Sequence, residues 1–198
     1  MQYFEMLPKV IKVEKNGTST VYTNLLSRAN LINDVLTNPV LFYYYDIQDG
    51  DTPEIVAHKY YGDSYRYWLV LLPNNILDPQ WDWPLNNKDF NSYIENKYNQ
   101  INPYATAHHY EKVISQYENY SQITTENIIE IDEDTYNNLS PSTTSYTFPS
   151  GTTTVTISKR IISMYDYELQ KNEAKRNIKI LKKDFAFEAE KELHDLML

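Results

Sequence analysis

Apolar and polar positions follow two periods along this chain, and each change of period marks a new element. Val10, Ile11 and Val13 precede Asn16-Gly17, and the β-prone run Thr18 to Tyr22 follows. Asn-Gly between such runs predicts a hairpin, because both residues tolerate positive φ. Residues 1–24 thus read as an extended arm. Leu25, Leu26, Ala29, Ile32 and Leu36 then recur at helical spacing. They predict a short amphipathic helix over 25–37, ended by Asn38-Pro39.

Val40 to Ile47 is rich in β-formers and predicts a strand. Asp49-Gly50-Asp51 turns the chain. Thr52 can cap a helix with Pro53 first and Glu54 in its opening turn. The hydroxyl accepts an orphan amide, the ring presets φ, and the carboxylate suits the helix dipole. That helix runs to Tyr61, and Gly62 suits the left-handed residue beyond it. Asp63 or Ser64 can cap a second helix through Leu72, with Tyr65, Trp68, Leu69 and Leu72 on one face; Pro73-Asn74-Asn75 stops it. Trp81-Asp82-Trp83-Pro84-Leu85 alternates like a short closing strand, with Trp81 and Trp83 on one side. Asn87 can cap a further helix, Lys88 to Tyr98, carrying Phe90, Tyr93, Ile94 and Lys97 on one side. Asn102-Pro103 ends it.

Beyond residue 103 the character changes. Ser, Thr and Asn dominate from Thr135 to Thr154, and short runs alternate: Ile129 and Ile131 against Glu130 and Asp132, Val155 and Ile157 against Thr154 and Thr156. Pro149-Ser150-Gly151 is a turn between β-prone runs, and the acidic Asp132-Glu133-Asp134 reads as a solvated turn. A β-rich insertion with mobile loops is expected over 103–162. From Ser163 the chain is charged and helix-prone, with Ile178-Lys179-Ile180 as a possible strand. Asp184 can cap a last helix striped by Phe185, Ala189, Leu193, Leu196 and Met197, which must bury against this chain or a partner. Four regions result: an arm with a short helix (1–39), a core with its following helix (40–102), the insertion (103–162) and a C-terminal helical segment (163–198). The fold class is α+β.

Tyrosine carries much of the apolar content, 19 Tyr against 6 Phe and 3 Trp. Its ring and hydroxyl suit small cores and contact surfaces equally. The net charge of −9 argues against a nucleic-acid binder, which needs a basic stripe, and against an anionic membrane surface, although Lys171 to Lys183 is locally basic. There is no cysteine, hence neither a disulfide framework nor a thiolate metal site. The N-terminus lacks a basic, apolar leader and no apolar run reaches membrane length, so a soluble, intracellularly made protein is expected.

No catalytic constellation stands out. His58 sits within a helix, His194 lies near the end, and His108 and His109, as strand neighbours, should face apart and make a poor metal pair. Gly-x-Ser-x-Gly is missing, and phosphate-cradling loops need glycines at fixed spacing, so with only 4 glycines nucleotide chemistry is disfavoured. Carboxylates are numerous, so a hydrolase based on Asp or Glu stays open. Trp68, Trp81 and Trp83 could stack sugars or form a small core; the helical spacing of Trp68 with Tyr65 and Leu72 favours core. Neither a cofactor nor a metal is expected.

Gly50-Asp51-Thr52, Ile55-Val56-Ala57, Tyr61-Gly62, Leu71-Leu72, Asn74-Asn75-Ile76 and Asp78-Pro79 resemble a LysM module in order and approximate spacing. Gly50, Asp51, Thr52, Tyr61, Gly62, Trp68, Asn75, Asp78 and Pro79 are its fold-defining positions. The resemblance implies a βααβ core and, in many such modules, binding of N-acetylglucosamine polymers beside the helix-entry loops. Two departures weaken the glycan reading: Pro53-Glu54 replaces the usual apolar-aromatic pair, and Trp81-Asp82-Trp83-Pro84 lacks the usual Pro-Gly turn. The wider pattern, Tyr60-Tyr61-Gly62, Tyr67-Trp68-Leu69-Val70-Leu71-Leu72, Asn75, Asp78-Pro79 and Trp83, resembles the baseplate wedge protein 53 family of T-even-type contractile-tailed bacteriophages. So do Tyr165-Asp166-Tyr167-Glu168-Leu169, Asn172-Glu173 and Arg176-Asn177-Ile178-Lys179-Ile180. This resemblance implies a non-enzymatic subunit of the virion's tail baseplate, assembled in the host cytoplasm. It would clamp neighbouring wedge subunits, including the tail-sheath-initiating and wedge-clamp proteins, and join copies in adjacent wedges around the hub. Tyr43, Tyr45, Trp81, Trp83, Phe185, Leu193 and Leu196 are the candidate contact residues. The rivals are a peptidoglycan- or chitin-binding LysM module and a hydrolase.

Overall fold

The computed structural model of the protein describes residues 3–27, 29–31 and 33–197. A short helix, α1 (Tyr3–Met6), precedes the hairpin of β1 (Lys9–Val13) and β2 (Ser19–Thr23). The strands pair antiparallel, with Val13 opposite Ser19, and Gly17 turns the chain at φ +86° as the Asn-Gly pair predicts. The helix expected over 25–37 shrinks to α2 (Asn33–Leu36). The side chains of Asn24 and Asn30 take the amides of Leu26 and Leu31, and such local bonds compete with helical ones. Leu25 and Leu26 stand in solvent, Ala29 and Leu36 pack half-buried on the core, and Ile32 lies outside the described residues.

A 3-10 turn (Pro39–Leu41) leads into β3 (Phe42–Asp46) and then α3 (Pro53–Tyr61). Both ends of α3 match their sequence signals. The Thr52 hydroxyl accepts from the Ile55 amide at 3.3 Å, and Gly62 closes the helix at φ +78°, donating to the His58 carbonyl. Asp63 caps the next 3-10 turn (Ser64–Tyr67), which runs into α4 (Trp68–Leu71) and a 3-10 turn (Leu72–Asn74) that stops at left-handed Asn75. Tyr65, placed by its spacing on the apolar face, is exposed; Trp68 to Leu71 are all buried.

The closing strand expected at Trp81–Leu85 does not form; residues 79–82 make α5 (Pro79–Asp82). Asp78 accepts from the Gln80 amide at 3.0 Å, Pro79 presets φ, and the Asp82 carboxylate accepts from the Leu77 and Asp78 amides. Trp81 and Trp83 therefore do not share a strand face. α6 (Asn87–Lys97) follows, capped by Asn86 rather than Asn87: Asn86 and Asp89 exchange side-chain and amide bonds at 2.8 and 2.9 Å.

The remaining elements are β4 (Ala107–Glu118), β5 (Ile123–Ile131), α7 (Glu133–Asn138), β6 (Ser142–Phe148), β7 (Gly151–Ser163), α8 (Met164–Glu173), β8 (Asn177–Leu181) and α9 (Lys183–Met197). The acidic cluster is not a turn. Asp132 caps α7 by accepting from the amide and hydroxyl of Thr135, and Glu133 and Asp134 sit in its first turn, where the dipole favours them.

The chain divides into two compact units, residues 1–89 with 172–198, and residues 90–171. In the first, β3 pairs antiparallel with β8, from Phe42 opposite Leu181 to Asp46 opposite Asn177. The strand that completes this sheet thus comes from the C-terminal region. Ile178 and Ile180 of β8 join Ile47, Val56, Ala57, Val70 and Trp83 in one core cluster. A second cluster gathers Met6, Leu7, Phe42, Trp68, Leu69 and Leu181 with Ala186, Leu193 and Met197 of α9. α9 begins at Lys183, so Asp184 lies in its first turn instead of capping it.

In the second unit four antiparallel strands form one sheet in the order β5-β4-β7-β6. Val113 and Ile162 are buried on it, and Phe90 and Ile94 of α6 are buried as well. The pairing of β4 with β7 shifts register between Ala107 and His109. That irregularity breaks the alternation expected of adjacent strand residues: His108 and His109 meet Nδ1 to Nδ1 at 2.8 Å, and His108 stacks on Tyr167.

Candidate functional site

Asp51 is the polar centre of the first unit. It follows a glycine turn at the mouth of α3, where the residue is 8 % exposed and its carboxylate is fully engaged. Oδ1 accepts from Lys59 Nζ at 2.6 Å; Oδ2 accepts from the Tyr45 hydroxyl at 2.7 Å and the Gln48 amide at 3.2 Å. The Asp51 carbonyl accepts from Trp83 Nε1 at 2.7 Å. Burial pushes the carboxyl up, but the bonds from Lys59, Tyr45 and the Gln48 amide outweigh it and hold Asp51 below the usual carboxylate range. Burial and the Asp51 carboxylate push the Tyr45 hydroxyl up to about 12. Four segments, β3, the turn, α3 and the residues after α5, are tied to one residue. A cleft of about 190 Å3 beside it is lined by Gly50, Thr52, Pro79, Trp83, Asn86 and Arg176.

The candidate contact residues split by exposure. Tyr43 (51 %), Trp81 (67 %) and Leu196 (78 %) face solvent. Tyr43 stacks on Tyr60 with centroids 5.9 Å apart, and Lys183 Nζ lies over the Tyr60 ring. Trp83 and Leu193 are buried, while Tyr45 and Phe185 are half-buried. Of the fold-defining positions, Thr52, Gly62, Asn75 and Asp78 sit at helix or turn ends, and Gly50 takes φ +81°. Pro79 opens α5, Tyr61 donates to the Leu181 carbonyl at 2.6 Å, and Trp68 is core, its buried Nε1 without a hydrogen-bond partner among the described residues.

Three polar anchors escaped the periodicity reading. Asn74 donates Nδ2 to the Lys179 and Val70 carbonyls, both at 2.7 Å, and accepts the Lys179 amide at 2.8 Å, so it covers the free side of β8. Asn172 does the same for Leu85, accepting its amide at 2.7 Å and donating to its carbonyl at 3.1 Å. Arg66 grips Glu190 of α9 with two bonds, at 2.8 and 3.1 Å. Glu190 had one visible signal, a carboxylate among the apolar positions of α9; Asn74 and Asn172 stand within the motifs that carry the family resemblances, but no periodicity marks their bonding role.

In the second unit, buried Glu168 accepts from Lys97 at 2.7 Å, Tyr98 at 3.1 Å and Tyr93 at 3.2 Å. Burial opposes its charge, but Lys97 and the two hydroxyls win and lower its pKa. Glu111 is likewise lowered, against burial, by Arg160 and His109. These carboxylates are held ionised by internal partners, which is the opposite of a raised general acid. Among the described residues, no group of three or more His, Asp or Glu side chains is arranged to hold a metal, and no helix is long and apolar enough to cross a membrane.

The fold is α+β, with buried carboxylates engaged by internal partners and apolar side chains displayed on a hairpin and a sheet. The family model for base plate wedge protein 53 matches residues 2–192, and the chain belongs to that family. It is therefore a structural baseplate protein of a phage tail, in contact with other baseplate proteins. A search of curated proteins finds no match.

Proposed function

We propose that the chain is a non-catalytic wedge subunit of a contractile tail baseplate. It clamps neighbouring wedge subunits, including the tail-sheath-initiating and wedge-clamp proteins, and joins copies in adjacent wedges around the hub, assembling in the host cytoplasm. The unit containing β3, α3, α4 and β8 acts as a LysM-like scaffold turned to protein contact. The hairpin carries this reading. Val10, Ile11, Val13, Val21 and Tyr22 are each at least 48 % exposed. A two-stranded hairpin is marginal alone in water, so it gains order by lying on another surface. Lys9, Lys12 and Lys15 outnumber Glu14, which pairs with Lys12, so the hairpin is net basic within a chain of charge −9 and suits an acidic seat. Tyr43, Trp81 and Leu196 extend the contacts, supported from beneath by Tyr45, Trp83, Phe185 and Leu193.

A peptidoglycan- or chitin-binding module is the second reading, favoured by the cleft beside Gly50 and Thr52. Co-expression with the other tail proteins of the same virus, followed by pull-down and mass analysis, separates the two. The wedge reading expects a stoichiometric complex that chitin oligosaccharide leaves intact and that Ile11→Asp weakens at least tenfold, about 1.4 kcal/mol. Retention on peptidoglycan with no protein partner would favour the glycan module, and turnover of cell-wall substrate would favour a hydrolase.

A further inference from the structure

The sheet of the second unit ends in two unlike edges. β5 carries Glu126 and Glu130, the kind of charge that guards an edge against pairing. β6, at the other edge, is exposed at every residue, pairs only with β7 among the described residues, and contains neither a charged residue nor proline. From Thr135 to Ser158 the sequence has no Asp, Glu, Lys, Arg or His at all. An unguarded edge of this length is a template for a further strand.

Charge selects the occupant. The chain carries −9, so two copies repel wherever their acidic surfaces meet, as they would along β5. At β6 two copies meet without like charges, and a charged partner segment would find no counter-charge there. The side-chain pattern selects the same occupant. Thr144, Tyr146 and Phe148 lie on one face, and Val155, opposite Thr144 on β7, continues it. Thr143, Ser145 and Thr147 lie on the other face, continuous with Thr156, Thr154 and Thr152; Thr143 and Ser145 touch the Thr156 and Thr154 hydroxyls at 3.4 and 3.1 Å. An antiparallel pairing of β6 with a second β6, centred on Ser145, sets Thr144 against Tyr146, Ser142 against Phe148 and Thr143 against Thr147. The aromatic-bearing faces then join and hydroxyl meets hydroxyl, and a one-residue slip would destroy both matches.

We infer that β6 is a self-pairing edge through which two copies of this chain join their four-stranded sheets into one continuous sheet. The inference rests on the edge and not on the wedge assignment. A pairing of this length buries less than the ~1,200 Å2 of a standard interface, so the free dimer is weak, with Kd on the order of 10–100 μM. Copies held side by side in a larger assembly would pair more fully.

The test uses the full chain in sedimentation velocity at about ten times that Kd, where the dimer should dominate. Ser145→Lys and Ser145→Glu each place like charges opposite one another and should each sediment as monomers. Mixed in equal amounts, they should recover the dimer, which also shows that both are folded. Because the chain has no cysteine, Ser145→Cys should also oxidise to a covalent dimer. A monomeric wild type at that concentration, a dimer indifferent to either charge, or a mixture that stays monomeric would each overturn the inference.

Discussion

Asn74 makes three hydrogen bonds with one side chain, and its loss should be measurable. Asn74→Ala strips the partners from the Lys179 amide and carbonyl and from the Val70 carbonyl. Lys179 is half-buried and its other side faces Tyr44 across the sheet, so water reaches these groups poorly. An orphaned buried group costs about 1–3 kcal/mol, and with partial rehydration the three together cost roughly 2–4 kcal/mol. At about 2–4 °C per kcal/mol for a chain of this size, the midpoint should fall by roughly 5–15 °C. All 3 tryptophans belong to the first unit, so their fluorescence during urea unfolding reports on it alone. The variant should shift the urea midpoint with little change in slope. Asn74→Asp keeps one acceptor but sets a carboxylate against two carbonyls, and at neutral pH it should be no milder. A loss below about 0.5 kcal/mol for Asn74→Ala, the scale of an ordinary surface change, would refute the role given to this anchor.

Burial and charge yield two more expected outcomes. Leu193→Asp puts a charge into the core cluster around α9 and should unfold the first unit, costing at least about 3 kcal/mol, whereas Leu196→Asp should leave thermal stability within about 0.5 kcal/mol; equal midpoints for the two in a calorimetric scan would contradict the packing described. Asp51, Glu111 and Glu168 have folded pKa values below their unfolded ones, so their stabilisation is complete above about pH 4.3 and is lost as pH falls through the depressed values. Tyr45, raised from 10.0 to about 12, contributes below its unfolded pKa and loses that contribution as pH rises across this interval. Unfolding midpoints by circular dichroism should therefore drop at both extremes, and Glu168→Gln should flatten part of the acid limb; a profile flat down to about pH 2 would sink the assignment.

The elements legible in advance are those whose cause is local. Asn16-Gly17 makes its hairpin, Thr52-Pro53 starts α3, Gly62 ends it and Asp63 caps the 3-10 turn beyond, because each signal acts on amides a few residues away. Local signals also compete, and there periodicity misleads. The Leu25–Leu36 stripe loses to asparagine side chains, and the alternation of Trp81 and Trp83 loses to the Asp78-Pro79 cap, since so short an alternation cannot outweigh a capped turn. The Asn86 cap and the register shift beside His108 turn on geometry that spacing does not carry.

Sequence by itself carried the α+β class, the hairpin, the capped α3 and a final helix, though not which face of α9 is buried, together with the resemblance to a wedge family. Tertiary structure alone decided which strand completes the β3 sheet, that Trp83 and Leu193 are buried while Trp81 and Leu196 face solvent, and that Asp51, Glu168 and Glu190 are held by internal partners. The reason is separation along the chain. A cap or a turn is satisfied by atoms a few residues away, whereas β8, Asn74 and the Arg66–Glu190 pair acquire their roles only when distant segments share one core, and no periodicity records which segments those are.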